Sequence, residues 1–288
     1  MADSLRPTVA DALAAWAARV RSNAEQVERV REVPDPPDFY GPVTSLFRAD
    51  PRRTDEPLLR DLLAFAQPAD TWLDIGAGAG RYSLPLALKV REVIAIEPSP
   101  GMAAALREGM GENGIANIRI VEGGWPPDEP STGGPISDPP SGDVALIAHL
   151  GYDIERLGPF LHAMEAAAGR RCVAVLMERQ PSSVADPFWP IVHGEERIPL
   201  PALREFLVVL MAFGRTFELR IHDRPPRAFA DRDEAVAYLR RQLWIAEGGA
   251  KDGLLAEAVR ERLVEQDGAF VLRDQRPLPV GLVVWEPR

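Results

Sequence analysis

The sequence is poor in the residues that build disulfide frameworks and metal sites. It has one cysteine, Cys172, among 288 residues, which excludes a disulfide framework. The four histidines, at positions 149, 162, 193 and 222, do not have the spacing of zinc ligands. We therefore expect no bound metal and a reduced compartment.

Long apolar runs are also missing. The longest candidate covers positions 206–213, far fewer than the ~20 residues that span a bilayer. The first twenty residues lack a basic leader followed by an unbroken apolar stretch, which argues against a secretory signal. We expect a cytoplasmic protein without a membrane partner.

Positive charge is in short supply. The chain has 33 lysines and arginines against 43 acidic residues, for a net charge of -10. A surface of this sign repels phosphate backbones. The composition therefore predicts that nucleic acid is not a partner.

Apolar runs of strand length alternate with helical patterns through the middle of the chain. The predicted strands are 71–75, 93–97, 118–122, 143–149 and 171–178. The helices predicted in this part of the chain are 58–66, 82–90, 101–110 and 155–168. This alternation is typical of a parallel sheet covered by helices on both faces.

The two ends of the chain break this rhythm. Before it, helices are predicted over 5–32 and 43–48. After position 180, helices are predicted over 200–213, 231–246 and 251–266, with a strand over 216–222. Residues 269–273 and 279–286 are expected to form a terminal hairpin.

A glycine-rich loop, LDIGAGAGR (73–81), follows the first predicted strand. Its glycines, Gly76, Gly78 and Gly80, let the backbone turn tightly and approach a ligand without a Cβ in the way. An open α/β sheet binds its ligands at this end of its strands. A nicotinamide-binding G-x-G-x-x-G loop would need a third glycine where Arg81 stands.

An acidic residue, Glu97, closes the second predicted strand 21 positions after Gly76. A carboxylate there can accept hydrogen bonds from both ribose hydroxyls of an adenosine. The alternative is a doubly wound domain whose glycines only permit tight turns. That alternative does not account for Glu97.

Together these residues resemble the class I S-adenosylmethionine-dependent methyltransferases, of the small-molecule type. Four blocks in the family's order carry the resemblance: WLDIGAGAGRYSLPLA (72–87), VIAIEPSPGM (93–102), IRIVEGGW (118–125) and DVALIAHLGYDI (143–154). The resemblance implies an α/β fold with a doubly wound, mostly parallel seven-stranded sheet whose last strand is antiparallel. It also implies a helical lid over residues 1–57 and a methyltransferase domain over 58–288. A helical insertion near 181–215 would form part of the acceptor site.

The resemblance implies S-adenosyl-L-methionine as the cofactor. The implied binding residues are Asp74, Gly76, Ala77, Gly78, Gly80, Glu97, Pro98, Ser99, Met102, Gly123, Gly124, Trp125 and His149. The family often has an aspartate where this chain has Gly124. We therefore expect adenine to be recognised by backbone groups or by stacking, with Trp125 as the stacking candidate.

The methyl acceptor is expected beside His149, at the end of the fourth predicted strand. His149 is a candidate base because an ordinary imidazole titrates near neutrality; alternatively, it only closes the site. Tyr152 and Tyr40 are further catalytic candidates, and Phe39 with Tyr40 either covers the cofactor or packs in the core. In the family, an Asn/Asp-Pro-Pro-Tyr/Phe tetrapeptide marks enzymes that act on the amino groups of bases or of glutamine. Since this tetrapeptide is absent here and the net charge is acidic, we predict a small-molecule acceptor. We also expect a monomer or a homodimer.

Two other functions remain open at this point. The chain could bind S-adenosylmethionine or its demethylated product, S-adenosylhomocysteine, without catalysis and act through a protein partner. A nicotinamide-dependent oxidoreductase would need a phosphate-cradling loop. The glycine loop together with Glu97 favours the methyltransferase.

Overall fold

The computed structural model describes residues 7–127 and 134–288. The first two residues of the predicted helix over 5–32, and the first six of the lid segment, lie outside these ranges. The strands are β1 Thr71–Ile75, β2 Glu92–Ile96, β3 Ile118–Val121, β4 Gly142–Ala148, β5 Ala168–Met177, β6 Phe217–Arg224, β7 Ala228–Phe229, β8 Leu263–Gln266, β9 Ala269–Leu272 and β10 Leu278–Trp285.

Seven of these strands form one sheet, in the order β3-β2-β1-β4-β5-β10-β6. Strands β1 to β5 pair in parallel, and β10 runs antiparallel to both β5 and β6. The central strands are buried on both faces, as the near-continuous apolar runs indicate. The predicted mostly parallel seven-stranded sheet with an antiparallel last strand is confirmed.

Helices cover both faces of the sheet. The α-helices are α1 Val9–Val30, α2 Pro57–Leu63, α3 Ser83–Ala87, α4 Pro100–Asn113, α5 Leu157–Ala167, α6 Trp189–His193, α7 Leu203–Ala212, α8 Arg232–Gln242 and α9 Ala250–Arg262. Two 3₁₀ helices cover Gly41–Phe47 and Pro181–Phe188. One apolar cluster joins α1, α5 and α7 to the sheet, and a second cluster joins α2, α3 and α4 to it.

The first helix, α1, packs into the body of the protein rather than standing apart from it. Trp16 is 3% exposed and its indole N–H donates to the carbonyl of Ile154 at 2.8 Å. Gln26 receives a hydrogen bond from the amide of Ile198 at 2.7 Å and donates to the carbonyl of Glu196 at 2.8 Å. Helix α1 is therefore held by apolar burial and by polar contacts with the segment before α7.

The C-terminal part differs from the prediction in two places. Residues 263–266 form β8 instead of extending a helix, and β9 pairs with β8 and β7 rather than with the last strand. Asp267 and Gly268 have φ of 53° and 79°, which suits the tight turn of a two-residue hairpin. The last strand is apolar on both faces, so it is more stable inside the sheet, between β5 and β6, than in an exposed hairpin.

A third apolar cluster joins α6, α8 and α9 to the small sheet of β7, β9 and β8. Except for α6, the elements of this unit lie after β6 in the chain, and α8 follows the carboxyl end of that strand. Among the described residues, none of the helices has both the length and the apolar character needed to cross a membrane.

Candidate functional site

The glycine loop leads from the carboxyl end of β1 to α3 and is hydrogen-bonded to the neighbouring strand, β2. Gly76, Gly78 and Gly80 have φ of 74°, 57° and 87°, a region that residues with a Cβ rarely adopt. The amides of Gly76 and Ala77 donate to the carbonyl of Ile96 at 2.8 and 3.1 Å. The loop conformation therefore depends on glycine and on its attachment to β2.

The three glycines differ in what surrounds them. A Cβ at Gly76 would lie 2.8 Å from the side chain of Leu150, and one at Gly80 would lie 2.5 Å from Leu106. A Cβ at Gly78 would meet nothing within 4 Å. Gly76 and Gly80 are thus needed for packing, whereas Gly78 faces open space that a ligand could fill.

Glu97 connects the loop to the end of β2. Its side chain is 5% exposed. One carboxylate oxygen accepts the amide of Gly78 at 2.6 Å and the other accepts the amide of Ser99 at 2.8 Å. Burial raises the pKa of Glu97, and the charge of Asp38 adds to that effect. Each oxygen keeps a further lone pair for a ligand hydroxyl.

Asp74, at the end of β1, holds the two ends of the glycine loop together. It is 2% exposed and accepts the hydroxyl of Ser83 at 2.5 Å, which links β1 to α3. Burial, with a contribution from Glu97, raises the pKa of Asp74 to about 7. The structure thus groups Asp74, the glycine loop and Glu97 as the motifs predict.

The remaining predicted cofactor residues lie on the loops after β2 and β3. Ser99 caps α4 by accepting the amide of Met102 at 3.2 Å; Met102 is 3% exposed and Pro98 is half-buried. Gly123 and Gly124 are buried and Trp125 is half-buried. The indole N–H of Trp125 is buried without a partner among the described residues.

Asp38 is a site residue that the sequence motifs did not indicate. Its carboxylate accepts the hydroxyl of Ser99 at 2.7 Å and the amide of Gly101 at 3.0 Å. It also accepts the amides of Tyr40 and Gly41 at 3.2 and 3.0 Å. Asp38 therefore attaches the N-terminal segment to the start of α4, next to Glu97. The signal available in the sequence was the Asp38-to-Gly41 spacing of a turn, which does not reveal the distant contact.

Tyr40 lies close enough to Asp153 and Glu97 for their charges to act on its phenol group. Tyr40 is 44% exposed and Asp153 is exposed. Desolvation and the charges of Asp153 and Glu97 raise the pKa of Tyr40 to about 12. The adjacent Phe39 ring lies 4.2 Å from the guanidinium of Arg241 on α8.

His149 follows β4 with a φ of 56°, an uncommon conformation for a residue with a side chain. Its Nε2 lies 3.3 Å from the hydroxyl oxygen of Tyr82, and its Nδ1 is buried without a partner among the described residues. Burial, and then the charges of Arg224 and Arg81, lower the pKa of His149 to about 3. The imidazole is therefore neutral and weakly basic, unlike the near-neutral group that the sequence suggested.

Tyr152 does not have the surroundings of a proton-transfer group. It is 5% exposed, and its hydroxyl oxygen accepts the amide of Met177 at 2.8 Å. Burial raises the pKa of Tyr152. The phenol thus anchors the loop after β4 to the end of β5.

No family model matches the chain. It is 31% identical over 108 residues to the 23S rRNA (uracil(1939)-C(5))-methyltransferase RlmD of Stenotrophomonas maltophilia. This match covers 34% of the chain and 24% of that relative. A second match, to RlmD of Shewanella sp. strain MR-4, is 40% identical over 57 residues and covers 20% of the chain and 13% of the relative. The chain therefore spans at most about a quarter of these curated relatives.

Solved structures share the fold. A candidate methyltransferase of Bacillus halodurans C-125 has a TM-score of 0.54 at 13% identity, covering 81% of this chain and 99% of that one. The YcgJ protein of Bacillus subtilis has a TM-score of 0.51 at 14% identity, covering 80% and 98%. The resemblance to class I methyltransferases is confirmed, because the solved neighbours share the fold and the curated relatives are methyltransferases.

The curated relatives overturn one prediction. They are ribosomal RNA methyltransferases by name, which contradicts the expectation of a small-molecule acceptor and no nucleic-acid partner. The net charge was a poor guide because it averages over the chain, whereas recognition depends on the local field at the site.

Proposed function

We propose that this protein transfers a methyl group from S-adenosylmethionine to an acceptor held at the carboxyl edge of the sheet. The observation that carries the proposal is the pairing of Glu97 with Gly78. A buried carboxylate is fixed by two backbone amides beside a glycine whose missing side chain leaves open space. When bound, S-adenosylmethionine supplies a methyl group already activated by its sulfonium charge.

The residues of the chain fit this cofactor. Glu97 would accept both ribose hydroxyls with the lone pairs that its two amide contacts leave free. Gly78 would lie against the ligand, while Asp74 and Ser83 keep the loop in place. The indole N–H of Trp125, which has no partner among the described residues, would donate a hydrogen bond to the adenine.

The catalytic contribution of the protein is alignment. Holding two reactants in reactive geometry can contribute roughly 7–11 kcal/mol. Because its pKa is lowered to about 3, the neutral imidazole of His149 is a weak base, so it would orient the acceptor by a hydrogen bond rather than take its proton. Tyr40 and the segment attached through Asp38 would close the cleft over the cofactor and exclude water.

The methyl-transfer assay should test two classes of acceptor, RNA and small metabolites. The relatives named for uracil C5 methylation in 23S rRNA support an RNA arm, although the chain spans only part of their length. A metabolite mixture forms the second arm. Transfer of label from methyl-tritiated S-adenosylmethionine distinguishes catalysis from binding without turnover.

The binding test uses S-adenosylhomocysteine and isothermal titration calorimetry. Glu97→Gln removes the charge that would hold the ribose, and hydrogen bonds to a charged group contribute about 1.5–3 kcal/mol each. We therefore expect at least a tenfold loss of affinity. Glu92→Gln is the matched control, since Glu92 begins the same strand at its far end and is half-buried. No saturable heat with the wild-type protein at millimolar ligand would refute the proposal.

A further inference from the structure

An arginine without a carboxylate partner lies at the carboxyl edge of the sheet. Arg224 ends β6 and is half-buried. Its Nη1 reaches past the start of β10 to the sulfur of Met177, at 3.4 Å, and thioether sulfur is a weak acceptor. In the part of the chain that the structure describes, Arg224 forms no ion pair.

A second arginine lies close by. The guanidinium of Arg227 lies 4.0 Å from the ring centre of Tyr238 on α8, and its Nε is buried without a partner among the described residues. Burial, and then the charges of Arg81 and Arg227, lower the pKa of Arg224. The two guanidinium groups thus repel each other. No carboxylate of the described residues lies between them to offset this repulsion.

Other polar atoms along the same edge also lack partners. Gln180, three residues after Met177, is 2% exposed, yet neither of its amide atoms has a partner within residues 7–127 and 134–288. The same holds for Nδ1 of His149 and Nε of Arg81. Folded proteins leave few buried polar groups unpaired. Most of these groups are donors, so what is missing is an acceptor of hydrogen bonds.

A purely structural role does not explain the arginine pair. Partial burial of a charge that has no ion-pair partner is destabilising. Arg81 is compensated, because it forms an ion pair with Glu56 at 2.8 Å. Within the described residues, neither Arg224 nor Arg227 has a carboxylate partner, although Arg227 stacks on the ring of Tyr238. A guanidinium can bind a planar carboxylate or a phosphate with two parallel hydrogen bonds.

We propose that Arg224 and Arg227 bind an anionic group, a carboxylate or a phosphate, on the methyl acceptor and so hold the acceptor beside His149. The inference builds on the proposed methyltransferase function, since it assigns the acceptor its charge. A phosphate on this pair could belong to a nucleotide of RNA or to a phosphorylated metabolite.

The experiment is a titration of the full chain, saturated with S-adenosylhomocysteine, with inorganic phosphate and separately with acetate. We expect saturable binding of at least one anion and at least a tenfold weaker binding in Arg224→Gln. Arg220→Gln is the control, because Arg220 lies on the same strand with Glu218 at 2.7 Å as its partner; its affinity should stay within twofold of wild type. Arg224→Lys keeps the charge but loses the planar fork, so it should recover only part of the affinity.

Two results would overturn the inference: no saturable binding of either anion, or equal losses in Arg224→Gln and Arg220→Gln. Thermal unfolding of each variant shows whether a loss reflects the fold. A uridine-containing oligonucleotide and uridine monophosphate then separate the sources, since RNA binding falls steeply with salt. If S-adenosylhomocysteine does not bind but phosphate does, and Arg224→Gln abolishes it, the proposed function fails while the anion site stands.

Discussion

Replacing Asp38 with asparagine tests whether the N-terminal segment is part of the binding site. Two of the hydrogen bonds that Asp38 accepts come from Ser99 and Gly101, at 2.7 and 3.0 Å, across 61 and 63 positions of the chain. Asparagine keeps one acceptor oxygen and loses the charge. We expect the closed segment to lose about 1.5 kcal/mol, the lower value for a hydrogen bond to a charged group, because Asp38 is half-buried.

That loss corresponds to roughly a tenfold shift toward an open segment. If closure over the cofactor is needed for tight binding, the dissociation constant of S-adenosylhomocysteine should rise about tenfold in Asp38→Asn. Limited proteolysis of the segment that contains Tyr40 should become faster. Asp50→Asn is the control, because among the described residues Asp50 accepts hydrogen bonds from its near neighbours, Arg52 at 2.8 Å and Arg53 at 3.0 Å.

The same contact predicts a pH dependence. Partial burial raises the pKa of Asp38, but the hydrogen bonds from Ser99, Gly101 and Gly41 outweigh this and lower it overall. The attachment therefore contributes fully above the unfolded pKa of 3.8 and is lost as the pH falls through the folded value. Ligand affinity and cleavage rates that stay within twofold of wild type in Asp38→Asn would refute the reasoning.

Two further predictions concern buried groups. The imidazole of His149 should stay neutral from pH 8 down to about 4 in an NMR titration, since its pKa in the folded protein is about 3. In the unfolded chain the same imidazole is protonated near pH 6.5. Lowering the pH from 6.5 toward 3 should therefore destabilise the fold. A His149 resonance that titrates above pH 5, identified by its loss in His149→Asn, would contradict this. Glu165→Gln should lower the free energy of unfolding in urea by about 3–5 kcal/mol, because Glu165 is 5% exposed and bound by Arg215 at 2.6 and 2.7 Å. The exposed pair of Glu155 with Arg21 offers the control Glu155→Gln, with an expected cost below about 1 kcal/mol; equal effects of the two variants would count against the argument.

Local pattern was enough for the centre of the fold. The strands from β1 to β5 are apolar runs bounded by turn residues, and strands buried on both faces need that composition. The glycine loop was readable for the same reason, because positive φ at Gly76, Gly78 and Gly80 requires residues without a Cβ. The closing hairpin was mispredicted because pairing partners of a strand are not encoded in its own residues.

Charge-dependent properties were predicted less well. The low pKa of His149 depends on Arg224, 75 positions away in the chain, and on burial that no local pattern reports. The net charge of the whole chain said little about one cleft, and the exclusion of nucleic acid drawn from it is contradicted by the curated relatives.

The amino-acid sequence alone determined the alternation of strands and helices from β1 to β5, the glycine loop and the carboxylate at position 97. These follow from interactions between residues near each other in the chain: apolar periodicity, backbone conformation and the strand-end position. Only the tertiary structure decided that Asp38 contacts Ser99, that β10 lies in the sheet between β5 and β6, and that Arg224 lies beside Met177. Those contacts join residues 47 or more positions apart, so they exist only once the chain has folded.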